Sequence, residues 1–133
     1  MKSIENYRLP ARVLRALAHP VRLRLLTALR ENEECVCHLT ALMHQRQAYV
    51  SQQLMFLRRA GLIEDRKEGL RVYYHVKDLR VFDALDAVNV LTGMVRGPAE
   101  SHMLAACPCP KCKDTRGLAD HKRQAHVAKN KEG

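Results

Sequence analysis

Two cysteines separated by one residue, Cys35 and Cys37, are the most chemically distinctive feature of this 133-residue chain. Thiolates bind soft ions such as As(III), Cd(II), Pb(II) or Zn(II), and a close pair of thiols can also be oxidised to a disulfide. The neighbouring His38 could serve as a borderline ligand for zinc. The plainer alternative is that both cysteines are small core residues. The spacing favours a thiol site that holds an ion or responds to oxidants.

A second thiol cluster, Cys107, Cys109 and Cys112, lies near the C-terminus. Two interspersed prolines keep this segment out of a helix, so that it can present two or three sulfurs to one ion. Three arrangements are open. A tail cysteine completes the Cys35/Cys37 site, from the same or the partner subunit. Alternatively, the tail holds its own ion as a trithiolate. In the third arrangement, the tail is a structural zinc site or a redox relay, and Cys35 and Cys37 are the residues that sense the inducer.

The balance of charge favours a polyanionic partner. The formal net charge is +9; residues 1–97 hold 16 Lys and Arg against 10 Asp and Glu, and residues 98–133 hold 7 against 4. Nucleic acid is the first candidate for such a chain. No apolar run could span a bilayer and the N-terminus has no signal-peptide pattern, so we expect a cytoplasmic protein without membrane contact, whose thiols stay reduced.

The elements that must position these groups follow from apolar periodicity. The pattern predicts a mainly α fold with a small β-hairpin, in the order helix, helix, short helix, turn, longer helix, hairpin, helix. The predicted bounds are 7–18, 20–29, 36–43, 47–60, 62–76 and 79–95. Residues 31–34 are predicted to be a polar break, Lys67-Glu68-Gly69 the hairpin turn, and Asp78 the cap of the last helix.

This order is that of a winged helix-turn-helix, which predicts binding to duplex DNA. The longer helix would read bases and the basic hairpin would reach phosphates or an adjacent minor groove. The predicted DNA contacts are Arg46, Gln47, Tyr49, Ser51, Gln52 and Gln53 on the helix and its entrance, and Arg66, Lys67 and Arg71 on the hairpin. The domain is predicted to span residues 1–97, followed by a basic, partly disordered cysteine-containing tail over 98–133.

The runs 16–24 (ALAHPVRLR), 50–54 (VSQQL) and Tyr73-Tyr74 resemble the ArsR/SmtB family of transcriptional repressors. The resemblance covers roughly residues 10–95. It implies a homodimeric repressor that releases operator DNA when a metal, a metalloid or an oxidant reaches it. One module contacts few bases, so two would read half-sites about one helical turn apart. The apolar faces of the first and last helices are the expected dimer interface.

Cys35-Val36-Cys37 also resembles the thiol signature of the arsenic-responsive members of this family. The chain departs from it at Glu34, His38 and Thr40, and Thr40 stands where the family has a third cysteine. Residues i and i+2 of a regular helix point about 200° apart, so both sulfurs can hold one ion only if the helix end is unwound. As(III) or Sb(III) is the preferred inducer, with Cd(II) or Pb(II) second.

Two further alternatives complete the set of functions. Within transcription, the protein would be a thiol-redox or sulfide sensor that forms a disulfide or polysulfide between cysteines. In another class, it would be a thiol-rich metal-trafficking protein that uses the tail as its site. An enzyme is not expected, because the chain has no Ser/His/Asp order, phosphate-binding glycine loop or spaced acid–base pair.

Overall fold

The structure, a computed structural model, describes residues 3–94, where a 3-10 turn precedes five α-helices and a three-stranded antiparallel sheet of order β1-β3-β2. The bounds are Ile4–Tyr7 for the 3-10 turn, Arg8–Leu17 (α1), Pro20–Ala28 (α2), Glu34–Cys35 (β1), Val36–Met43 (α3), Gln47–Arg59 (α4), Ile63–Glu68 (β2), Arg71–Val76 (β3) and Val81–Thr92 (α5). The winged helix-turn-helix prediction is confirmed. No helix within the described range is long and apolar enough to cross a membrane. The predicted tail lies outside it.

Helix boundaries follow from local chemistry. His19 is extended and its Nδ1 accepts a hydrogen bond from the Val21 N–H at 3.2 Å, which satisfies one unpaired donor at the start of α2. Pro20 occupies the first position, where its missing N–H costs nothing. Gly61 follows α4 with a φ of 79°, a left-handed conformation that glycine adopts without strain.

The core joins all five helices to the first residue of β2. Its fully buried members cluster around α4, which contacts α1, α2, α3 and β2. The buried apolar residues of this core are Leu17, Leu25, Leu26, Leu29, Leu39, Leu42, Met43, Val50, Leu54, Leu57, Ile63, Phe82 and Leu85. The predicted inward positions of the short helix, Leu39 and Leu42, are therefore confirmed.

Arginines of α1 and α2 bind the ends of neighbouring helices. Arg12 donates to the carbonyl oxygen of Arg59 at the end of α4, and Arg22 donates to that of Ala16 at 3.1 Å near the end of α1. The Arg22 guanidinium also lies 4.9 Å from the Phe56 ring centroid. A guanidinium is well suited to the carbonyls that a helix end leaves unpaired. These contacts hold α4 in a defined orientation.

The sheet differs from its prediction in two ways. Residues 31–34 are not simply a polar break, because Glu34 pairs with Tyr74 as part of β1 and is only 1% exposed. The hairpin turn is Gly69-Leu70 rather than Lys67-Glu68-Gly69, and Leu70 is fully exposed. The reason is the register of the two strands. With Ile63 opposite Val76, the ladder continues to the pair Glu68 and Arg71, which leaves only two residues for the turn.

The start of α5 also differs. The helix begins at Val81, its cap position is Arg80, and the Asp78 carboxylate accepts from the Arg80 N–H at 2.9 Å in the preceding turn. Asp78 therefore caps that turn and not the helix itself. Further along, the Asp86 carboxylate forms two 2.8 Å hydrogen bonds with Arg30, which ties α5 to the chain after α2.

Replacing Gly61 by alanine is expected to destabilise the domain by about 1 kcal/mol. A Cβ here would meet nothing within 4 Å, so the loss comes from backbone conformation and not from a clash. Urea unfolding followed by circular dichroism measures it. Gly61→Asn is the control and should lose less, since asparagine tolerates the left-handed region. Equal stability of the alanine variant and the wild type would contradict this account.

Candidate thiol site and nucleic-acid interface

Cys35 and Cys37 meet at the start of α3. Cys35 is the N-cap residue, with φ −75° and ψ 155°, and its sulfur accepts a hydrogen bond from the His38 N–H at 3.3 Å. Because Cys35 is extended and outside the helix, the 200° separation of a regular helix does not apply. The two Cα atoms are 5.4 Å apart and the sulfurs are joined as a disulfide. The cap conformation by itself supplies the unwound helix end that two adjacent sulfurs require.

A buried polar pair supports this cap. His38 Nε2 lies 3.7 Å from Glu34 Oε2, and both side chains are 1% exposed. Burying such groups is unfavourable unless each has a partner, and here the two buried side chains lie beside each other. Cys35 itself is 2% exposed and packs with Cys37, Ala41 and Tyr73. The thiol site is therefore part of the folded interior and not a loose loop.

The donor set within residues 3–94 is limited to two sulfurs. No group of three or more His, Cys, Asp or Glu side chains in this range is arranged to hold a metal ion. His38, considered above as a zinc ligand, has its Nε2 near Glu34 inside the core. Any third ligand would have to come from elsewhere in the chain or from a partner. The predicted tail ligands Cys107, Cys109 and Cys112 lie outside the described residues.

The wing, which is the β2–β3 hairpin of residues 63–76, is attached to the thiol site through its backbone. Glu34 and Cys35 pair with Tyr74 and Tyr73 of β3 in an antiparallel ladder. The same β3 residues pair with β2 on their other side. Since Cys35 belongs to this ladder and also caps α3, the chain of the thiol site connects the helix-turn-helix to the wing.

Side chains add to this attachment. The Arg71 Nη1 is 3.5 Å from the Cys37 sulfur. Arg66 forms an ion pair with Glu33, just before the thiol site, and a second with Glu68 at 2.7 Å. The hydrogen bond with Glu33, and then that with Glu68, raise the pKa of Arg66. The predicted phosphate contacts Arg66 and Arg71 are therefore already engaged by the thiol site and its neighbour. The ladder also places Lys67, exposed, opposite Val72.

The recognition helix α4 presents most of its predicted contacts to solvent. Arg46, Gln47 and Gln52 are exposed, and Tyr49 and Ser51 are half-buried. Gln53 differs, because it is 6% exposed and lies on the side that carries Leu54 and Leu57. A base contact through the Gln53 side chain is not available in this conformation. Its Oε1 accepts no hydrogen bond from the described part of the chain.

Two site residues were not predicted from the sequence. Glu33 and Glu34 were interpreted as part of an acidic break, yet Glu33 forms an ion pair with Arg66 of the wing and Glu34 is buried beside His38. A two-residue strand is too short for period-two alternation to reveal it. The available signal was the i, i+4 spacing of Glu34 and His38, which allows a pair across the helix start.

Together, the helix-turn-helix of α3 and α4, the wing and the exposed polar face of α4 define a DNA-binding regulator of the winged helix-turn-helix class. Residues 19–65 match the family model described as bacterial regulatory protein, arsR family. A regulator from Methanocaldococcus jannaschii, called an uncharacterized HTH-type transcriptional regulator, is 34% identical over 89 residues, which are 66% of this chain and all of that protein. The chain belongs to the ArsR family.

Other relatives match over part of their length. The transcriptional repressor SmtB homolog of Synechocystis sp. is 41% identical over 81 residues, 61% of either chain. The arsenical resistance operon repressor of Escherichia coli is 38% identical over 72 residues, 53% of this chain and 62% of the relative. The chain thus spans just over three-fifths of these two proteins. These relatives are transcriptional regulators and not enzymes, and the fold is that of transcriptional regulators.

Solved structures agree with this fold. The homodimeric winged helix-turn-helix DNA-binding domain from Mycobacterium bovis, titled a possible ArsR-family transcriptional regulator, superposes with a TM-score of 0.62 at 29% identity, covering 70% of this chain and 89% of that one. Reduced HlyU from Vibrio cholerae superposes with a TM-score of 0.59 at 32% identity, covering 65% and 92%.

The Glu33–Arg66 pair is expected to weaken DNA binding. Glu33→Gln removes the carboxylate that competes with phosphates for Arg66, so affinity for duplex DNA should rise and its salt dependence steepen, by up to about 0.9 in the log–log slope. Lys67→Gln should have the opposite effect by a similar amount. Fluorescence anisotropy at several salt concentrations measures both slopes.

Glu5→Gln is the matched control for this experiment. It removes the same charge from a surface pair with Arg8, on the N-terminal turn and away from the wing. Its effect on the slope should be smaller than that of Glu33→Gln. Equal slopes for the two variants would mean that net charge alone matters, and that the pair does not restrain Arg66.

Proposed function

We propose that this protein is a cytoplasmic, homodimeric transcriptional repressor that binds duplex operator DNA and leaves it when a thiophilic metal or metalloid binds Cys35 and Cys37. As(III) or Sb(III) is the preferred inducer, with Cd(II) or Pb(II) second. The observation that carries this proposal is the N-cap position of Cys35. It brings two sulfurs together at the start of the helix-turn-helix and joins them to the wing.

DNA binding rests on α4 and the wing acting together. The outward side of α4 offers Gln47, Ser51 and Gln52 to base edges, with Arg46 at its entrance. Lys67 and the wing arginines lie on β2 and β3, where they would reach phosphates. Repression is proposed from the names of the relatives, because contact with DNA does not by itself determine the sign of regulation.

Dimerisation is supported by apolar surface at both ends of the described chain. Large apolar side chains of the N-terminal turn, of α1 and of the end of α5 and the residues after it are more than half exposed. They are Ile4, Tyr7, Leu9, Leu14, Val90, Leu91 and Met94. A large amount of exposed apolar surface is typical of a protein–protein interface. A second copy of the chain is the proposed occupant, as in the homodimeric domain from Mycobacterium bovis.

The thiol site fits part of what As(III) or Sb(III) prefers. Cys35 and Cys37 would supply two of the three thiolates of a pyramidal site, and one of Cys107, Cys109 and Cys112 would supply the third, from its own or the partner subunit. Binding of such a soft ion by Cys35 and Cys37 would act on the start of α3, because Cys35 is its cap residue. The relative that Escherichia coli uses as its arsenical resistance operon repressor supports this choice.

The second candidate is a thiol-redox or sulfide sensor. The observation that favours it is the direct linkage of Cys35 and Cys37 as a disulfide in the fold. In this version an oxidant of the disulfide class accepts two electrons from the two thiols, which lose two protons and form one S–S bond. The same position at the start of α3 would then control DNA binding.

The wing is the route by which either event would reach DNA. Cys35 pairs with Tyr73, and Cys37 lies against Arg71, so a change at the two sulfurs acts directly on two residues of β3. Movement of β1 would also shift Glu33 relative to Arg66. Such coupling only needs the two states of the thiol site to prefer different positions of the wing.

The test is release of DNA from the full chain, kept reduced by a phosphine that does not chelate arsenite. Arsenite should lower the affinity for operator DNA by about 5- to 150-fold, and Cys35→Ser or Cys37→Ser should abolish this response. Anisotropy of a labelled duplex measures it. A triple serine variant at Cys107, Cys109 and Cys112 tells whether the tail supplies the third ligand.

The outcomes separate the candidates. Release by arsenite without an oxidant supports the metalloid repressor. Release by diamide alone, added after the phosphine has been removed and lost in the same Cys35 and Cys37 variants, supports the redox sensor. If specific DNA binding responds to neither reagent, or responds unchanged in both variants, the proposed control through Cys35 and Cys37 is wrong.

Hydrogen exchange tests the route. Inducer binding should raise amide exchange in residues 71–76, since the ladder with β1 is disturbed, while residues 20–28 in the core should be unchanged. Mass spectrometry of peptides from the reduced protein, with and without arsenite, measures this. Cys37→Ser should show no such change. Exchange altered only in α3 would argue against transmission through the wing.

A further inference from the structure

Met55 stands out on the DNA-facing side of α4. The buried side of the helix consists of Val50, Gln53, Leu54 and Leu57, at the i, i+3, i+4, i+7 spacing of one helical face. The opposite stripe has the same kind of spacing, with Ala48, Gln52, Met55 and Arg59, all exposed. Met55, with 49% of its surface accessible, is the large apolar member of a stripe that otherwise carries small or hydrogen-bonding groups.

The charge of α4 shows which partner this stripe fits. Residues 47–59 contain no Asp or Glu, and the last turn carries Arg58 and Arg59. An ordinary solvated helix face mixes both signs of charge, whereas a helix that enters the major groove must avoid carboxylates beside phosphates. Within residues 3–94 nothing covers the four residues of this stripe, while Arg12 of α1 donates to the Arg59 carbonyl oxygen at the end of the helix. The occupant of the stripe is therefore duplex DNA.

A methionine in the major groove can recognise one base feature. Its thioether chain neither donates nor strongly accepts hydrogen bonds, so purine N7 and O6 and the exocyclic amines give it no specific contact. The C5-methyl group of thymine is the one apolar group that bases present there. The long, flexible side chain can reach such a methyl group and remove it from water.

The spacing of Gln52 and Met55 along α4 indicates how far apart the bases that they would contact lie. Three residues of helix correspond to a rise of about 4.5 Å. Successive bases of one strand are about 3.4 Å apart. Met55 thus lies about one base step beyond the position that Gln52 would read, and the two side chains share one stripe.

We infer that Met55 is a specificity-determining residue, which contacts the C5-methyl group of one thymine in each operator half-site and makes thymine preferred there. The inference rests on the proposed binding of DNA through α4, and it adds a base preference that the polar residues do not supply. The contact is hydrophobic, so it should depend on the methyl group and not on hydrogen bonding.

Deoxyuridine provides the test, because uracil differs from thymine in DNA only by the missing methyl group. An operator is first selected from a randomised duplex pool with the reduced full-length protein. Each thymine of one half-site is then replaced singly by deoxyuridine, and affinities are measured by anisotropy. Wild-type affinity should fall about four-fold at one position, the value expected for one methyl group returned to water.

Two variants assign that loss to Met55. Met55→Gln has a similar length and should bind the thymine and deoxyuridine duplexes equally, whereas Met55→Leu keeps an apolar contact and should keep the preference. Circular dichroism checks that both variants fold. Specific binding that no deoxyuridine replacement weakens, or a preference that persists undiminished in Met55→Gln, would overturn the inference alone. Failure to select any specific duplex would overturn the proposed DNA binding together with it.

Discussion

The antiparallel pairing of Glu34 and Cys35 with Tyr74 and Tyr73 is the contact on which the architecture of the site depends. It makes the residue that caps α3 also a residue of the sheet. A two-residue ladder is weak on its own, and here it is reinforced by burial of Glu34 with His38 and of Cys35 against Tyr73. The thiol pair therefore cannot rearrange without acting on the sheet.

The recognition helix is fixed by contacts of another kind. Side chains of Arg12 and Arg22 occupy carbonyls at the ends of α4 and α1, and the leucines of α4 lie fully inside the core. The recognition helix is thus held by contacts on several sides. The wing is attached to the thiol pair through β1, whereas α4 is held by its buried leucines and by the arginine at its end.

Charge distribution adds a second level of control. Of the predicted wing cations, Arg66 is shared between Glu33 and Glu68, and Arg71 faces the Cys37 sulfur. Phosphates must compete with these partners, whereas Lys67 is exposed on its strand. Two of the residues that make the wing basic are therefore in contact with Cys37 or with the acidic residues around the thiol site, and the formal charge of the wing overstates what it offers to DNA.

The sequence by itself determined most of the elements. Apolar periodicity located the short helix at 36–43 and the recognition helix, because each buries one face and therefore shows its period. The hairpin was located from its period-two sequence, although its strands are half-buried or exposed along most of their length. The spacing of Cys35 and Cys37 singled them out as the expected site of chemistry. The burial of Gln53 is consistent with a local pattern, because it shares the i, i+3, i+4, i+7 face of Val50, Leu54 and Leu57. Only the tertiary structure decided that Glu34 and Cys35 form a strand and that Arg66 and Arg71 turn to the thiol site and its neighbour Glu33. These contacts join residues more than 30 positions apart, and such partners leave no local pattern in the chain.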